Sequence, residues 1–182
     1  MVVIGECAMR IGLAVCLACI SALDVSSAVG QHSAKEAILV GPWSITTTYK
    51  ADRFDNCVMS RTGDEVNAGF VLGKDAFLLQ LDSAKWHLER GKTYPVKLVI
   101  GSRIYDAKAF AETKTATIDI GDRSLSDALR AGTALDVQGE GATIRIPLDG
   151  SAAAFDRLTM CFNKNSHTGV KTNPFVAPSQ KP

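Results

Sequence analysis

The sequence predicts a mainly β domain: an antiparallel β-sandwich or partly open barrel of about eight or nine strands with two short helices. Many short segments alternate apolar with polar residues and are rich in β-branched and aromatic side chains, as strands are. Turn residues separate them at intervals of about 8–12 residues, a spacing typical of all-β domains. Two segments with helical spacing interrupt this pattern, and we expect the C-terminal one to pack on the sheet.

The first half of the domain contains four candidate strands. Residues 43–50 place apolar or β-branched side chains at every second position, which is the period of a strand. A second strand is expected at 57–61. Strands at 68–72 and 76–81 flank a three-residue turn that contains glycine, and this arrangement favours a hairpin.

The second half supplies the remaining strands. Residues 94–100 alternate in the same way, but they include Pro95. Because proline cannot donate to a hydrogen-bond ladder, we expect Pro95 at the start of its strand or on an edge. Further strands are expected at 104–110, 116–120, 134–137 and 142–147.

The two helices are predicted from their caps and apolar stripes. Ser124 can cap the first helix, with Asp127 three residues later, and Gly132 follows as its C-terminal stop. Ser151 is the candidate cap of the second helix, which is expected to run to about residue 164. One face of this helix would carry Ala154, Phe155, Leu158, Cys161 and Phe162.

The N-terminal segment resembles a removable secretory leader. Arg10 supplies a short positive region, residues 11–23 are apolar, and residues 26–28 are small, as at a cleavage site. The apolar run is shorter than the roughly 20 residues that span a membrane. We therefore expect a signal peptide at 1–28.

Alternatives for this segment stay open. Translation begins at Met1 or at Met9, and the precise cleavage site is not determined by the sequence. An uncleaved anchor is one alternative. A lipoprotein modified at Cys16 or Cys19 is another, although neither cysteine follows a good lipidation motif.

Cysteine usage points to an oxidising compartment. Three of the five cysteines lie in the leader, so that the body of the chain keeps Cys57 and Cys161. We expect these two to form a disulfide, which would close a loop of about 100 residues and stabilise the fold by roughly 4–5 kcal/mol in the chain-entropy model. Two separate buried thiols are the alternative.

The rest of the chain divides into three parts: a linker at 29–41, the β-domain at 42–164 and a flexible proline-containing tail at 165–182. The formal net charge is +1 and the charges are interspersed, which gives no reason to expect a nucleic-acid partner. No apolar run after the leader reaches spanning length, so we expect no stable membrane span after cleavage. The oligomeric state stays open.

No residue is assigned a catalytic, cofactor-binding or metal-binding role. The histidines are His32, His87 and His167. His87 lies beside Trp86 and is interpreted as a surface neighbour of that residue. Asp119 and Asp122 provide too few carboxylates for a calcium loop. Residues 139–141 are glycine-rich but lack the strand–loop–helix setting of a phosphate site.

Trp43 and Trp86 are the candidate surface or ligand-binding aromatics. Both lie at strand positions, where a large apolar side chain stabilises a core. Core packing is therefore the preferred interpretation, and the lining of a ligand groove is the alternative.

Several short motifs occur in order between residues 42 and 162. They are PWSI at 42–45, CVMS at 57–60, WHLERG at 86–91, YPVKL at 94–98, and GSAAA at 150–154 followed by Cys161. Together they resemble the invasion-associated locus B family of small exported proteins from alphaproteobacteria. The resemblance implies a periplasmic or envelope protein of β-sandwich type with no known enzymatic activity, and some members of that family are linked to entry into host cells or survival within them.

These observations predict an exported periplasmic β-domain that is not an enzyme and that binds a protein or a cell-envelope component without a cofactor. Outer-membrane association or secretion is the alternative location. An inhibitor or accessory of a secreted hydrolase is one alternative function. An enzyme with an unrecognised site is the other.

We predict that the exported protein begins at Val29, because residues 26–28 fit the signal-peptidase site. N-terminal sequencing and intact-mass measurement of protein recovered from the periplasm check this. A mature chain that retains the apolar run would support the anchor, and a lipid-modified cysteine would support the lipoprotein.

Overall fold

The computed structural model describes residues 37–166, and this part of the chain forms ten strands and two helices. The strands are β1 (Ile38–Val40), β2 (Trp43–Lys50), β3 (Arg53–Arg61), β4 (Asn67–Gly73), β5 (Phe77–Asp82), β6 (Thr93–Ile100), β7 (Arg103–Ala111), β8 (Thr115–Asp119), β9 (Ala134–Gln138) and β10 (Thr143–Pro147). The helices are α1 (Arg123–Ala131) and α2 (Ser151–Ser166).

The strands of this region form a single antiparallel sheet in the order β1-β2-β3-β4-β5-β8-β7-β6-β9-β10. The sheet is open, with β1 and β10 at its edges. It curves, since Leu81 of β5 and Ile144 of β10 line the same cleft although four strands separate them in the sheet order. The prediction of a mainly β, antiparallel fold is confirmed, and all ten strands belong to one curved, open sheet.

One strand was not predicted. Ile38–Val40 forms β1 within the range expected to be a linker, and it pairs with the start of β2. Val40 and Trp43 are partners, so Gly41 and Pro42 form the turn, in which Gly41 has a φ of 57° that glycine adopts without strain. A three-residue strand is too short to show alternation, which is why the sequence pattern missed it.

Helix α2 packs on β2, β3 and β4 through the face that the sequence predicted. Ala154, Phe155 and Leu158 are buried there. The rings of Phe155 and Phe70 meet edge to face with centroids 4.9 Å apart, a favoured geometry for aromatic pairs. The predicted packing of the C-terminal helix on the sheet is confirmed.

The disulfide between Cys57 of β3 and Cys161 of α2 is present, with 6.2 Å between the two Cα atoms. It joins positions 104 residues apart in sequence. Cys57 is fully buried, and the hydroxyl oxygen of Thr47 lies 3.3 Å from the Cys161 sulfur. The predicted bond is therefore confirmed, and it fastens the last helix to the third strand of the sheet.

Two helix-cap predictions were wrong. Asp122, not Ser124, caps α1: its carboxylate accepts the Leu125 N–H at 2.9 Å and the Ser124 hydroxyl at 2.6 Å. These bonds, the Ser124 bond first, lower the pKa of Asp122 because they favour its ionised form. Ser151 is buried as the first residue of α2, and its hydroxyl donates to the Leu129 carbonyl, which ties α2 to α1.

Some predictions concern residues outside 37–166 and have no structural counterpart. They are the signal peptide at 1–28, the linker up to residue 36 and the tail from residue 167 onward. The same holds for Cys7, Cys16, Cys19, His32 and His167. Within residues 37–166, neither helix is long and apolar enough to cross a membrane.

We predict that replacing both disulfide cysteines, Cys57→Ala with Cys161→Ala, lowers the free energy of unfolding by about 2–5 kcal/mol, because the unfolded chain regains the freedom that the long loop had lost. Urea denaturation followed by circular dichroism measures this change. Wild-type protein unfolded in dithiothreitol is the matched control and should lose a similar amount. An unchanged midpoint in both samples would show that the bond contributes nothing to stability.

Candidate ligand-binding cleft

A cleft lies where β6 extends past the end of β9. The two strands pair only over Lys97–Val99, opposite Asp136 to Gln138. The preceding residues of β6, from Thr93 to Val96, continue beyond the turn that joins β9 to β10. Pro95 falls in this stretch, where it has no β9 partner, so the expectation that it lies at an unpaired edge is confirmed.

The cleft has a volume of about 650 Å³ and a predominantly apolar lining. Such a volume is within the usual range for small-ligand sites. Six strands, β5 to β10, the segment before β6 and the β9–β10 turn all contribute to the walls. The principal apolar residues are Leu81, Trp86, Leu88, Tyr94, Val96, Ala109, Ala116, Ile118, Val137 and Ile144.

The cleft owes its space to small side chains on β7 and β8. Ala109 and Ala116 line it, and both are nearly buried. Next to them in the sheet, Ile118 pairs with Ala109 and Ala111 pairs with Ala116. A leucine or phenylalanine at either alanine would extend into the cleft, since neighbouring core residues are already closely packed.

The outer wall is formed by the segment that connects β5 to β6. Trp86 and Leu88 project from it into the cleft. Backbone hydrogen bonds hold this segment against the β7–β8 hairpin: Ser83 donates to Lys114, Leu88 to Thr113 and Gly91 to Ala111, at 2.8–3.1 Å. The wall therefore has a defined position although it contains no regular strand.

Two charged side chains lie at the rim of the cleft, Lys92 and Glu140. The Lys92 ammonium is 3.2 Å from a Glu89 oxygen and 5.6 Å from the centroid of the Tyr94 ring. The hydrogen bond and the charge of Glu89 raise the pKa of Lys92. Glu140 is exposed and has no ion-pair partner among residues 37–166. At this rim, the positive charge of Lys92 is thus paired with Glu89, whereas the negative charge of Glu140 has no ion-pair partner among the described residues.

The two candidate aromatics, Trp43 and Trp86, have different environments in the structure. Trp43 is fully buried, and its indole N–H donates to the Asp149 carbonyl at 2.8 Å. Arg61 lies over the same ring at 5.7 Å and pairs with the Asp149 carboxylate. Trp43 is accordingly a core residue. Trp86 is half-buried in the cleft wall, where a ligand can reach it.

The polar candidates do not converge on the cleft. His87 is exposed, and its Nδ1 lies 3.2 Å from the Lys85 carbonyl oxygen. Asp119 accepts the Gly121 N–H, and Asp122 caps α1. Among residues 37–166 no group of three or more histidine, cysteine, aspartate or glutamate side chains could hold a metal ion.

The glycine-rich turn forms one end of the cleft. Gly139 donates to the Ala142 carbonyl at 2.9 Å, which closes the β9–β10 hairpin. Residues 139–142 then line the cleft together with Val96 of β6 and Trp86. Sequence reasoning had identified the turn but not the cleft, because the other walls come from strands that are distant in sequence.

Comparison with known proteins identifies the fold. The crystal structure of invasion associated protein B from Bartonella henselae matches this chain with a TM-score of 0.53 over 71% of this chain and 99% of the other. The two sequences are 19% identical. This match confirms the predicted resemblance as a relationship of fold. No model of a protein family matches the chain, and no curated protein matches it in sequence.

We predict that acrylamide quenches Trp86 several-fold more strongly than Trp43, because only Trp86 lines an open cleft. Single-tryptophan proteins made by Trp43→Phe and Trp86→Phe report each residue in turn. Circular dichroism confirms that both variants are folded, which matters for Trp43→Phe because it loses the bond to Asp149. Equal quenching of both tryptophans would contradict the assignment.

Proposed function

We propose that this protein is an exported, periplasmic β-domain without enzymatic activity, which binds a protein or a cell-envelope component through its apolar cleft. The observation that carries the proposal is the cleft itself, an opening of about 650 Å³ into the side of the curved sheet. Monomeric domains seldom leave such a concave apolar surface uncovered unless it binds something.

The lining supports binding by burial of apolar surface. Trp86 and Tyr94 offer flat aromatic area, and aliphatic side chains from β5, β6, β9 and β10 complete the walls. At roughly 25 cal/mol per Å² of apolar area removed from water, even a small apolar group inserted here would contribute a few kcal/mol. The rim residues Lys92 and Glu140 would orient a partner that carries its own polar groups.

Two features support export. The leader-like sequence at 1–28 is one, and the disulfide between Cys57 and Cys161 is the other. Disulfides persist in oxidising compartments such as the periplasm and are rare in the cytosol. The name of the Bartonella protein associates that protein with invasion, and we do not extend this role to the present chain, since the two share a fold at low identity.

We predict that a photo-crosslinking amino acid at Leu88, in the cleft wall, forms adducts in intact cells, whereas the same amino acid at Met160 does not. Met160 is the matched control because it is an exposed apolar residue on α2, away from the cleft lining. Filling the cleft with Ala109→Phe should reduce the adducts about tenfold, since the space for the partner is lost. Mass spectrometry identifies the partner and its class.

Circular dichroism and thermal unfolding check that Ala109→Phe is folded. If it is not, Val96→Trp fills the cleft from a more exposed wall position and serves the same purpose. Adducts at Leu88 whose yield is unchanged by a folded, filled cleft would overturn the proposed function. Absence of adducts from several cleft positions would also overturn it.

A further inference from the structure

The edge strand β10 has backbone N–H and C=O groups that form no hydrogen bond to its neighbour in the sheet. It pairs only with β9, and Leu148 donates to Thr133 while Gly139 donates to Ala142 at the two ends of this pairing. In an antiparallel ladder the bonded pairs alternate, so Ile144 and Ile146 bond β9. The N–H and C=O groups of Thr143 and Arg145 therefore point away from β9, toward the free edge.

Within residues 37–166, only the N-terminal half of this edge has outward backbone groups without a hydrogen-bond partner. Pro147 has no N–H, and its carbonyl accepts a hydrogen bond from Arg61 at 3.3 Å. Proline at an edge prevents further strand pairing, and Arg61 occupies the remaining acceptor. Thr143 and Arg145 are exposed and carry no such protection. An added strand would thus be confined to about three residues around Ile144.

The free half of the edge adjoins the cleft. Ile144 lies between Thr143 and Arg145, and its side chain lines the cleft with Leu81 and Trp86. Residues directly opposite each other on paired strands place their side chains on the same face of the sheet. A residue added opposite Ile144 would direct its side chain into the cleft, while its two neighbours would bond Thr143 and Arg145.

The charge at the rim favours a basic partner. Lys92 is already paired with Glu89, whereas Glu140 has no ion-pair partner among the described residues. Glu140 lies in the turn just before β10. A lysine or arginine beside the apolar residue of an added strand would therefore have this carboxylate as a partner, in competition with Lys97 and Lys108, which line a neighbouring pocket together with Glu140.

We propose that the N-terminal half of β10 binds an extended basic peptide segment of another protein, which adds a short strand at Thr143–Arg145 and inserts one apolar side chain into the cleft. This inference rests on the proposed function, because it uses the same cleft. It names the partner class: strand addition supplies affinity through backbone bonds, and the cleft supplies selectivity for the apolar side chain. A lipid chain would fill the cleft without using the edge.

The probe is the capped pentapeptide Lys-Thr-Leu-Thr-Lys, labelled for fluorescence polarisation and titrated with the full chain that follows the predicted leader. We expect saturable binding, with shifts of the Thr143 and Arg145 backbone amides in NMR spectra. Arg145→Pro removes one edge N–H and should weaken binding about tenfold or more. Arg145→Ala keeps that N–H and also lacks the side chain that pairs with Asp136, so it is the matched control, and Arg145→Pro should bind at least about tenfold more weakly than Arg145→Ala.

Changes in the peptide test each contact without altering the protein. N-methylation of both threonines blocks the bonds to the edge and should abolish binding. Replacing leucine by alanine empties the cleft, and replacing both lysines by glutamate reverses the charge opposite Glu140. Each replacement should weaken binding at least several-fold. If Arg145→Pro does not fold, the N-methylated peptide alone decides whether the edge is used.

The alternatives give different results. Dodecyltrimethylammonium, studied below its micelle concentration, is cationic and apolar but has no peptide backbone. Suppose that this detergent binds, that Ala109→Phe blocks its binding, and that the N-methylated peptide binds as well as the parent peptide. The strand-addition inference is then overturned, and the proposed cleft function stands. If neither probe responds to Ala109→Phe, both the proposed function and this inference fail.

Discussion

The attachment of α2 to the sheet is the constraint on which the rest of the structure depends. The disulfide from Cys57 to Cys161 and the contact of Phe155 with Phe70 fix this helix over β2, β3 and β4. Because α2 follows β10 directly, the same attachment fixes where the last hairpin ends. The bonds from Trp43 and Arg61 to Asp149 and Pro147 then hold the chain between β10 and α2 against the start of β2.

A consequence is that the curved sheet is closed in one region and open in another. Near α2, Trp43, Phe70 and Phe155 form a continuous aromatic cluster with no space between rings for a ligand. In the region lined by Trp86 and Tyr94, β9 stops pairing with β6 and small alanines replace large core residues. The firmly packed region provides well-packed elements beside the open one, and a site held in a fixed geometry needs such rigid support.

The sequence predicted local features better than distant ones. The apolar stripe of α2 predicted that Cys161 faces the sheet, and the missing N–H of Pro95 predicted that this residue lies where its strand lacks a partner. Both predictions are confirmed, because each depends only on residues that are close together in sequence. The predicted cap of α1 was wrong because aspartate and serine both suit a cap position. Only the backbone geometry at the start of the helix selects Asp122 over Ser124. The cleft could not be predicted, since Leu81 and Ile144 meet only after the sheet curves.

The two edges of the sheet differ in how they are protected from pairing with another strand, and this difference links stability to function. An edge strand can pair with a foreign strand, and proteins usually prevent this. Strand β1 is only three residues long, which limits what it can pair with. In β10 the protection is partial: Pro147 and Arg61 occupy the half next to α2, where the core must stay closed. In the half beside the cleft, around Ile144, Arg145 places a charge at the edge, but within residues 37–166 this half has neither a proline nor a side chain bonded to its outward backbone groups. This asymmetry is what an edge that binds a partner would require.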